Sequence, residues 1–264
     1  MKQQMSSLFD LTDRTVCVIG GGGYLASPAC IALAEHGAHV VVADLRHQAA
    51  AEVVTQIEAN GGSGEAVELD VANEAAVISE LDGIVERRDS LDGLVNATFA
   101  YRNVPFEQMS LDDWRDGMRI SLDAAFILAR EAGRIMKAQG RGSIVQFTSM
   151  YGEVAPDPSM YHNTDPNPVH YGVAKAGIRQ LVRYQASIIG CDGVRINAVM
   201  PVPFPNPTVQ QADPQFIKRL NRKTMLNRIG SQHEIAGAVV FLIADASSYV
   251  TGTQIVIDGG WTAW

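Results

Sequence analysis

Short apolar runs alternate with longer alanine-rich runs along the first sixty residues of the chain. The short runs are rich in β-branched residues, as in TVCVIG and HVVVADL, whereas the longer runs, SPACIALAEHG and QAAAEVVTQIEANG, place their apolar residues at helical spacing. Parallel strands need a long crossover between them, and a helix usually supplies it. The pattern therefore predicts strand-helix-strand units and a parallel sheet.

The same alternation continues to the end of the chain. Later strands are predicted in GEAVELD, LDGLVNAT, GSIVQFTS, VRINAVM and TQIVIDGG, and helices over about 74–86, 111–139 and 172–189, with a last one from near Gln232. Because the strands are apolar on both faces, helices must cover both faces. We predict an α/β fold in a single domain over 1–264: a Rossmann-type doubly wound parallel sheet of about seven strands.

Two stretches interrupt the alternation. One runs from Met150 to His170, and the other, from Pro201 to Asp213, contains PVPFPNP. Long irregular segments in a compact domain are usually lids or binding loops. We expect loop structure in both, the second forming a lid-like loop over about 201–225.

Charge and cysteine content narrow the class of protein. Of the 264 residues 47% are hydrophobic, and the formal net charge is −8, which argues against a nucleic-acid or anionic-membrane partner. We see no apolar leader and no run of the ~20 apolar residues that a membrane helix needs, so we expect no membrane segment. Cys17, Cys30 and Cys191 are odd in number and far apart, which favours free buried thiols in the cytoplasm. The histidines lack ligand spacing, and we expect no metal site.

A glycine-rich turn follows the first predicted strand. The run IGGGGYLASPA fits G-x-G-x-x-A from Gly21 to Ala26 and, in a second register, G-x-x-G-x-x-A from Gly20. Such glycines let backbone N–H groups approach a pyrophosphate, although a plain tight turn uses glycines too. About twenty residues on, Asp44 ends the second strand, where a carboxylate binds the adenosine ribose and repels a 2′-phosphate. The pair favours NAD, and Arg46 leaves dual use with NADP open.

Tyr171 differs from Tyr151 and Tyr161 because a lysine, Lys175, follows it four residues later in YGVAK. On a helix the two side chains share a face, so the ammonium group would favour the ionised phenol. A tyrosine with its ordinary pKa of ~10 accepts a proton poorly at neutral pH and needs such a neighbour to act as a base. An ordinary helix-surface pair has the same spacing, so the motif needs context.

Taken in order, these motifs resemble those of the short-chain dehydrogenase/reductase family. The resemblance covers nearly the whole chain and rests on the glycine turn, Asp44, DV at 70–71, LVNA, GSIVQFTS, YGVAK, VRINAVMP and SSYVTGTQIVIDGG. It implies an NAD-dependent oxidoreductase that interconverts a secondary alcohol and a ketone, with hydride passing between the substrate carbon and the nicotinamide ring.

The resemblance also implies a role for each matching residue. Ser149 would hydrogen-bond the substrate oxygen, Tyr171 would transfer its proton, and Lys175 would hold the nicotinamide ribose and lower the pKa of the tyrosine. The implied cofactor-binding residues are Gly20, Gly22, Gly23, Tyr24, Leu25, Asp44, Leu45, Asp70, Val71, Asn96, Ala97, Tyr171, Lys175, Pro201, Val202 and Phe204. For Asp70 and Asn96 a cap or turn role stays open.

Ser149 and Tyr171 are farther apart than in most family members, so the segment at about 150–170 contains an insertion. We expect it to form a wall of the substrate pocket, with an inert surface excursion as the alternative. The expected substrate residues are Ser149, Met150, Tyr151, Tyr161 and Tyr171, with Asp157, His162 and Asn163 nearby. The runs SMYG, KTMLNRIG and DGGWTAW resemble the gluconate 5-dehydrogenase-like branch, whose members oxidise polyols, sugar acids or related secondary alcohols.

The resemblance further implies a homotetramer that binds a small-molecule substrate, with Trp261 and Trp264 of the terminal tail at a subunit contact. Other functions stay open at this point. They are an NAD-dependent 3-oxoacyl-type ketoreductase, an epimerase or lyase that retains NAD, and a catalytically silent nucleotide-binding scaffold.

Ser121 stands where most family members carry an asparagine that holds a proton-relay water. A serine hydroxyl can also hold a water, but with a shorter reach. We therefore expect Ser121→Asn to retain or raise the turnover number in a steady-state assay. A large loss of activity in a variant that still folds would contradict the relay role.

Overall fold

Seven parallel strands form the central sheet of the computed structural model, which describes residues 5–99, 104–162 and 165–264. The strands are β1 (Thr15–Ile19), β2 (His39–Asp44), β3 (Ser63–Glu68), β4 (Gly93–Asn96), β5 (Gly142–Phe147), β6 (Val194–Pro201) and β7 (Gln254–Ile257). Their order is β3-β2-β1-β4-β5-β6-β7, and all neighbours are parallel. The predicted doubly wound parallel sheet of about seven strands is confirmed.

Helices cover both faces of this sheet. Along the described chain they are α1 (Ser27–Glu35), α2 (His47–Ala59), α3 (Glu74–Arg88), α4 (Leu111–Met118), α5 (Ala124–Gln139), α6 (Val169–Ile189), α7 (Pro207–Ala212), α8 (Pro214–Lys223) and α9 (His233–Ile243). The helices α1, α2 and α9 pack on the face that carries Val16 and Val18, and α3, α5 and α6 on the face that carries Cys17 and Ile19. Successive residues of β1 are thus buried on opposite faces, so the strand reads as one apolar run.

The chain changes direction across the sheet beside β1. It first adds β2 and β3 on one side and then returns to place β4 on the other. The crevice between the carboxyl ends of β1 and β4 is the topological switch point, where open α/β sheets bind ligands. The turns that follow the two strands meet there, and the Ala97 N–H donates to the Ile19 carbonyl oxygen at 2.9 Å.

One wider turn interrupts the helix predicted over about 111–139. Between α4 and α5 the backbone forms a π-helical turn, Arg119–Asp123, which hydrophobic periodicity did not reveal. The end of α4, just before this turn, packs closely on α6, because a Cβ on Gly117 would lie 2.4 Å from Cγ of the fully buried His170. Single π turns inside helices are frequent at functional sites.

The expectation of loop structure after β6 is wrong for most of the segment, because α7 and α8 lie there. Each helix begins with a proline that follows a capping side chain. Asn206 accepts a hydrogen bond from the Val209 N–H at 3.0 Å, and Asp213 accepts one from the Phe216 N–H at 2.8 Å. Proline fits the first helical position because its missing N–H would have no helical partner there. The prolines that suggested a loop therefore start helices.

The cysteines divide into two kinds. Cys17 and Cys30 are buried free thiols, as expected, whereas Cys191 is exposed, which corrects the expectation for that residue. It lies at the surface, in the short 3-10 turn Gly190–Asp192 that follows α6. Within the described ranges, we find no helix with the length and apolarity needed to cross a membrane.

Candidate active site

The glycine turn after β1 is packed against both neighbouring strands. Gly20 has a φ of +73°, and a Cβ there would lie 3.3 Å from the Ala97 carbonyl carbon. A Cβ on Gly21 would lie 2.8 Å from Cγ1 of Val42. The N–H groups of Gly20 and Gly21 both donate to the Ala43 carbonyl oxygen, at 2.8 and 3.1 Å. This turn therefore requires glycine for its backbone angle and its packing as well as for any approach of a ligand.

Asp44 lies beside this turn at the carboxyl end of β2. Its Oδ2 accepts a hydrogen bond from the Gly22 N–H at 3.2 Å, and its Oδ1 accepts one from the Arg46 N–H at 3.0 Å. The predicted residues Gly22, Gly23, Tyr24 and Leu25 are half-buried, and Leu45 is exposed. The structure thus brings the predicted carboxylate and the predicted glycines together.

The cofactor-binding residues predicted near the ends of β3 and β4 use their side chains for contacts within the protein. Asp70 is exposed and accepts a hydrogen bond from the Ala72 N–H at 2.9 Å, while Val71 is buried in the core. Asn96 is buried, donates to Oε1 of Gln146 at 2.8 Å, and accepts from the Thr98 N–H and hydroxyl at 3.1 and 2.7 Å. The Asp70 and Asn96 side chains therefore hold turns, which is the alternative that the sequence left open.

Ser149, Tyr171 and Lys175 converge at the end of β5. The Ser149 hydroxyl accepts a hydrogen bond from the Tyr151 N–H at 3.3 Å and is close enough to the Tyr171 phenol to affect its pKa. The helix α6 begins at Val169, three residues earlier than predicted, so Tyr171 lies in its first turn. Lys175 follows one turn later, with its Nζ 5.6 Å from the centre of the Tyr171 ring.

The ammonium group of Lys175 is buried against two strand ends. It donates to the carbonyl oxygens of Phe147 at 2.7 Å and Thr98 at 3.3 Å, and only 3% of the residue is exposed. Burial disfavours the charged form and lowers the pKa of Lys175 to about 7. The side chain thus links α6 to the ends of β4 and β5.

Burial also dominates the titration of Tyr171. It raises the pKa of the phenol above its ordinary value, while the hydrogen bond to Ser149 acts in the opposite direction and only partly offsets it. Burial and the Ser149 hydroxyl set the direction of this shift, and the effect expected of Lys175 stays a prediction.

Ser121 lies in the π-helical turn between α4 and α5 and is fully buried. The same turn packs on α6, since a Cβ on Gly177 would lie 3.0 Å from Cδ1 of Leu122. Ser121 therefore belongs to the helical layer beside Tyr171 and Lys175, and its relay role stays a prediction.

The segment after β6 packs inward. The Val202 N–H donates to the Ile257 carbonyl oxygen at 2.9 Å, and its side chain lies in a buried cluster with Met150 and Met200. The ring of Phe204 occupies the space beside Gly230, where a Cβ would lie 2.2 Å from its Cε1. Pro201, the last residue of β6, is half-buried. Contact of Val202 and Phe204 with a cofactor stays a prediction.

The insertion lies against α8 and the end of the chain. Met160 is buried with Phe216 and Leu220 of α8, and Trp261 packs both on this cluster and on the cluster around Met150. The two predicted substrate tyrosines meet at their hydroxyl groups, Tyr151 with Tyr161. His162 is exposed, and Asn163 lies outside the described residues.

Two neighbours of the Ser149, Tyr171 and Lys175 cluster were missed. Phe99 places its ring edge-on to Tyr171, with centroids 6.1 Å apart, and His170 is buried next to it in sequence. Phe99 lies shortly after the end of β4, beyond Ala97 and Thr98, and this position near a strand end was the available signal. For His170, its position beside Tyr171 in the motif was the only signal.

This fold and site together are those of oxidoreductases that act on CH–OH groups. A family model described as enoyl-(acyl carrier protein) reductase matches residues 25–262. The chain is 30% identical to cyclopentanol dehydrogenase from Comamonas sp. over 96% of this chain and 98% of that protein. It is also 30% identical to gluconate 5-dehydrogenase from Gluconobacter oxydans, over 97% of each.

Solved structures agree. A gluconate 5-dehydrogenase from Burkholderia cenocepacia, crystallised in complex with NADP and tartrate, superposes with a TM-score of 0.88 at 29% identity, over 99% of this chain and 100% of that one. The chain belongs to the short-chain dehydrogenase/reductase family.

The burial of Lys175 makes the stability of the cofactor-free protein depend on pH. Its folded pKa of about 7 lies below the ordinary 10.5, so between these values the unfolded chain binds more protons. The free energy of unfolding should then rise with pH, by on the order of 1.4 kcal/mol per pH unit from this group. In Lys175→Met that rise should be missing when unfolding by urea is measured between about pH 7 and 9.5.

Lys218→Met, at an exposed lysine of α8, is the matched control and should follow the wild type. The quantity to compare is the slope of the unfolding free energy against pH. In Lys175→Met the carbonyl groups of Phe147 and Thr98 lose their donor, which lowers the stability by an amount that does not depend on pH. Parallel pH profiles for wild type and Lys175→Met would contradict the lowered pKa.

Proposed function

We propose that the enzyme oxidises a secondary alcohol to a ketone, and catalyses the reverse reduction, with NAD as its cofactor. The observation that supports this best is the cluster of Ser149, Tyr171 and Lys175 at the end of β5, beside the glycine turn at the switch point. Relatives named for cyclopentanol and gluconate share nearly the full length of the chain. The substrate class is accordingly a hydroxylated small molecule.

The glycine turn fits a dinucleotide. Gly21 leaves no room for a Cβ beside Val42, and Gly20 has a positive φ that favours glycine. The turn leads directly into the N-terminus of α1, where a pyrophosphate is stabilised by N–H groups. Gly22 and Asp44 would contact the adenosine half, and Lys175 and Tyr171 the nicotinamide half. When bound, the cofactor accepts or supplies the hydride.

The protein residues then handle orientation and the proton. In the oxidation, Ser149 donates a hydrogen bond to the substrate oxygen, and Tyr171 takes the proton of the substrate hydroxyl as the C–H bond gives up its hydride. In the reduction, Tyr171 returns that proton to the ketone oxygen. Because burial raises the pKa of Tyr171, the phenol holds its proton at neutral pH, which is the form needed for reduction.

Asp44 favours NAD because its carboxylate stands beside Gly22, where a 2′-phosphate would meet negative charge. The complex with NADP was obtained with the Burkholderia protein. In this chain, the exposed Arg46 is the residue that would weaken the preference for NAD over NADP.

We expect Asp44→Ala to lower kcat/KM with NAD about tenfold, because it removes the acceptor for the ribose hydroxyls. The ratio of kcat/KM with NAD to kcat/KM with NADP should also fall, because the charge that repels a 2′-phosphate is lost. The control is Asp70→Ala, whose carboxylate accepts a hydrogen bond within its own turn, and which should change the ratio less. Wild-type protein that prefers NADP, or an unchanged ratio in Asp44→Ala, would refute the assignment.

Tyr171→Phe should lower kcat about 10²–10⁴-fold, the range typical of a lost general acid or base. Cofactor affinity, measured by fluorescence titration, should stay within a few-fold because the ring is retained. Appreciable residual turnover would show that another group transfers the proton.

We also infer a homotetramer in the cytoplasm. Exposed apolar side chains on two adjacent helices support assembly: Phe126 on α5, and Tyr184 and Ile188 one turn apart on α6. Trp264 is 74% exposed, although its indole N–H donates to the Lys223 carbonyl oxygen at 3.2 Å. The buried free thiols Cys17 and Cys30 are typical of a reducing compartment.

A further inference from the structure

The segment that carries Ser149 is tied to one side chain of the sheet on both sides of the serine. Before it, the hydroxyl of the buried Thr148 lies 2.7 Å from Oε1 of Gln254. After it, Oε1 of Glu153 accepts a hydrogen bond from Nε2 of Gln254 at 3.2 Å. A single amide group on β7 therefore contacts the residue before Ser149 and the residue that ends the following turn.

Gln254 reaches this segment across an intervening strand. It is the first residue of β7 and pairs with Ala198 of β6, whereas Thr148 directly follows β5. The Thr148 N–H donates to the Val199 carbonyl oxygen of β6 at 2.9 Å, and the Thr148 hydroxyl lies 3.0 Å from the same oxygen. Because β6 already holds Thr148, what the amide of Gln254 adds is the link between Thr148 and Glu153.

The turn between the two ties is short and hydrogen-bonded within itself. The Gly152 N–H donates to the Ser149 carbonyl oxygen at 2.9 Å, and the Glu153 N–H donates to the Met150 carbonyl oxygen at 2.7 Å. A turn of this length has little slack to absorb a movement of Glu153. The contact of Glu153 with Gln254 therefore bears on the position of Ser149.

The same carboxylate is tied to the helix that carries Tyr171. Nη1 of Arg179 on α6 donates to Oε2 of Glu153. Tyr171, Lys175 and Arg179 follow one another at intervals of four residues, which places them along one face of α6. Partly exposed ion pairs add little stability, so we expect this chain of contacts to matter for geometry more than for folding.

We propose that Gln254 is a positioning residue for the dehydrogenase reaction: its amide joins Thr148 to Glu153 and so holds the Ser149 hydroxyl in its place beside Tyr171. The inference rests on the proposed function, in which Ser149 binds the substrate oxygen. Gln254 acts through Ser149 and takes no part in the transfer of proton or hydride. Catalysis is sensitive to such placement, since a displacement of about 1 Å can cost on the order of 10²-fold in rate.

Gln254→Leu tests the inference, because leucine removes the amide and keeps a side chain of similar length. We expect kcat to fall about tenfold from the displaced hydroxyl. The Kd for NAD, measured by fluorescence titration, should stay within about twofold, because the glycine turn follows β1 and has no contact with this network. A kcat within about twofold of wild type would overturn the proposal.

Gln56→Leu is the matched control. Gln56 is exposed on α2, and its amide donates to the Glu52 carbonyl oxygen of the same helix. The same substitution there should leave kcat at the wild-type value.

Two substitutions at Glu153 give a conservative rescue. Glu153→Gln keeps an oxygen that can accept from Gln254 and should retain most of the wild-type kcat. Glu153→Leu removes that acceptor and should lose about as much kcat as Gln254→Leu, roughly tenfold. Equal kcat values in the two Glu153 variants would overturn the proposal, because the retained acceptor would then make no difference.

A double-mutant cycle separates positioning from a general structural role. In Ser149→Ala the hydroxyl to be positioned is absent, so adding Gln254→Leu should lower the single-turnover rate of ketone reduction by less than about twofold. A further loss of about tenfold in that background would overturn the proposal, because the effect of Gln254 would then not pass through Ser149.

Failure of the proposed function has a different signature. If wild-type protein oxidises no secondary alcohol with either nicotinamide cofactor, the dehydrogenase assignment fails. Hydrogen exchange at the amides of Gly152 and Glu153, measured by mass spectrometry, then decides whether Gln254 holds the turn. Faster exchange in Gln254→Leu than in wild type supports the positioning role, and unchanged exchange overturns it.

Discussion

At the carboxyl end of the sheet, the ammonium group of Lys175 donates to the carbonyl oxygens of Phe147 and Thr98. A buried cation is costly, and these two acceptors offset part of that cost. They belong to the end of β5 and to the turn after β4, so one side chain of α6 is tied to two central strands. Tyr171 lies one helical turn before Lys175, and Ser149 two residues after Phe147. The arrangement of the site therefore follows from where this ammonium group is held.

Much of the fold was predictable because strands covered on both faces are apolar at every position, as β1 shows. The pairing of Tyr171 with Lys175 was predictable too, because helical spacing puts them on one face. Packing between distant segments was not: Phe99 beside Tyr171 depends on how the turn after β4 meets α6. The raised pKa of Tyr171 was missed for a related reason, because exclusion of water is a property of the assembled fold and spacing along the chain does not report it.

The proline-rich segment after β6 shows a different kind of error. The local signals for two helices were present as Asn206 and Asp213, each directly before a proline, yet the number of prolines favoured a loop. The result matters for the site, because α8 supports the insertion. Lys223 forms an ion pair with Asp157 at 3.0 Å, and Nε of Arg219 donates to the Met160 carbonyl oxygen at 2.9 Å. The insertion is thus held by a helix that lies far from it in sequence.

The contact between Tyr151 and Tyr161 closes the insertion at its base. In a loop whose ends are already joined, added residues cost little, about 0.6 kcal/mol of closure entropy for each doubling of length. Because α8 holds Asp157 and Met160 inside this segment, sequence change is expected at its exposed positions, while Ser149 and Tyr171 keep their places. Changes in the exposed part of the insertion could therefore alter what the protein binds without moving the proposed catalytic residues.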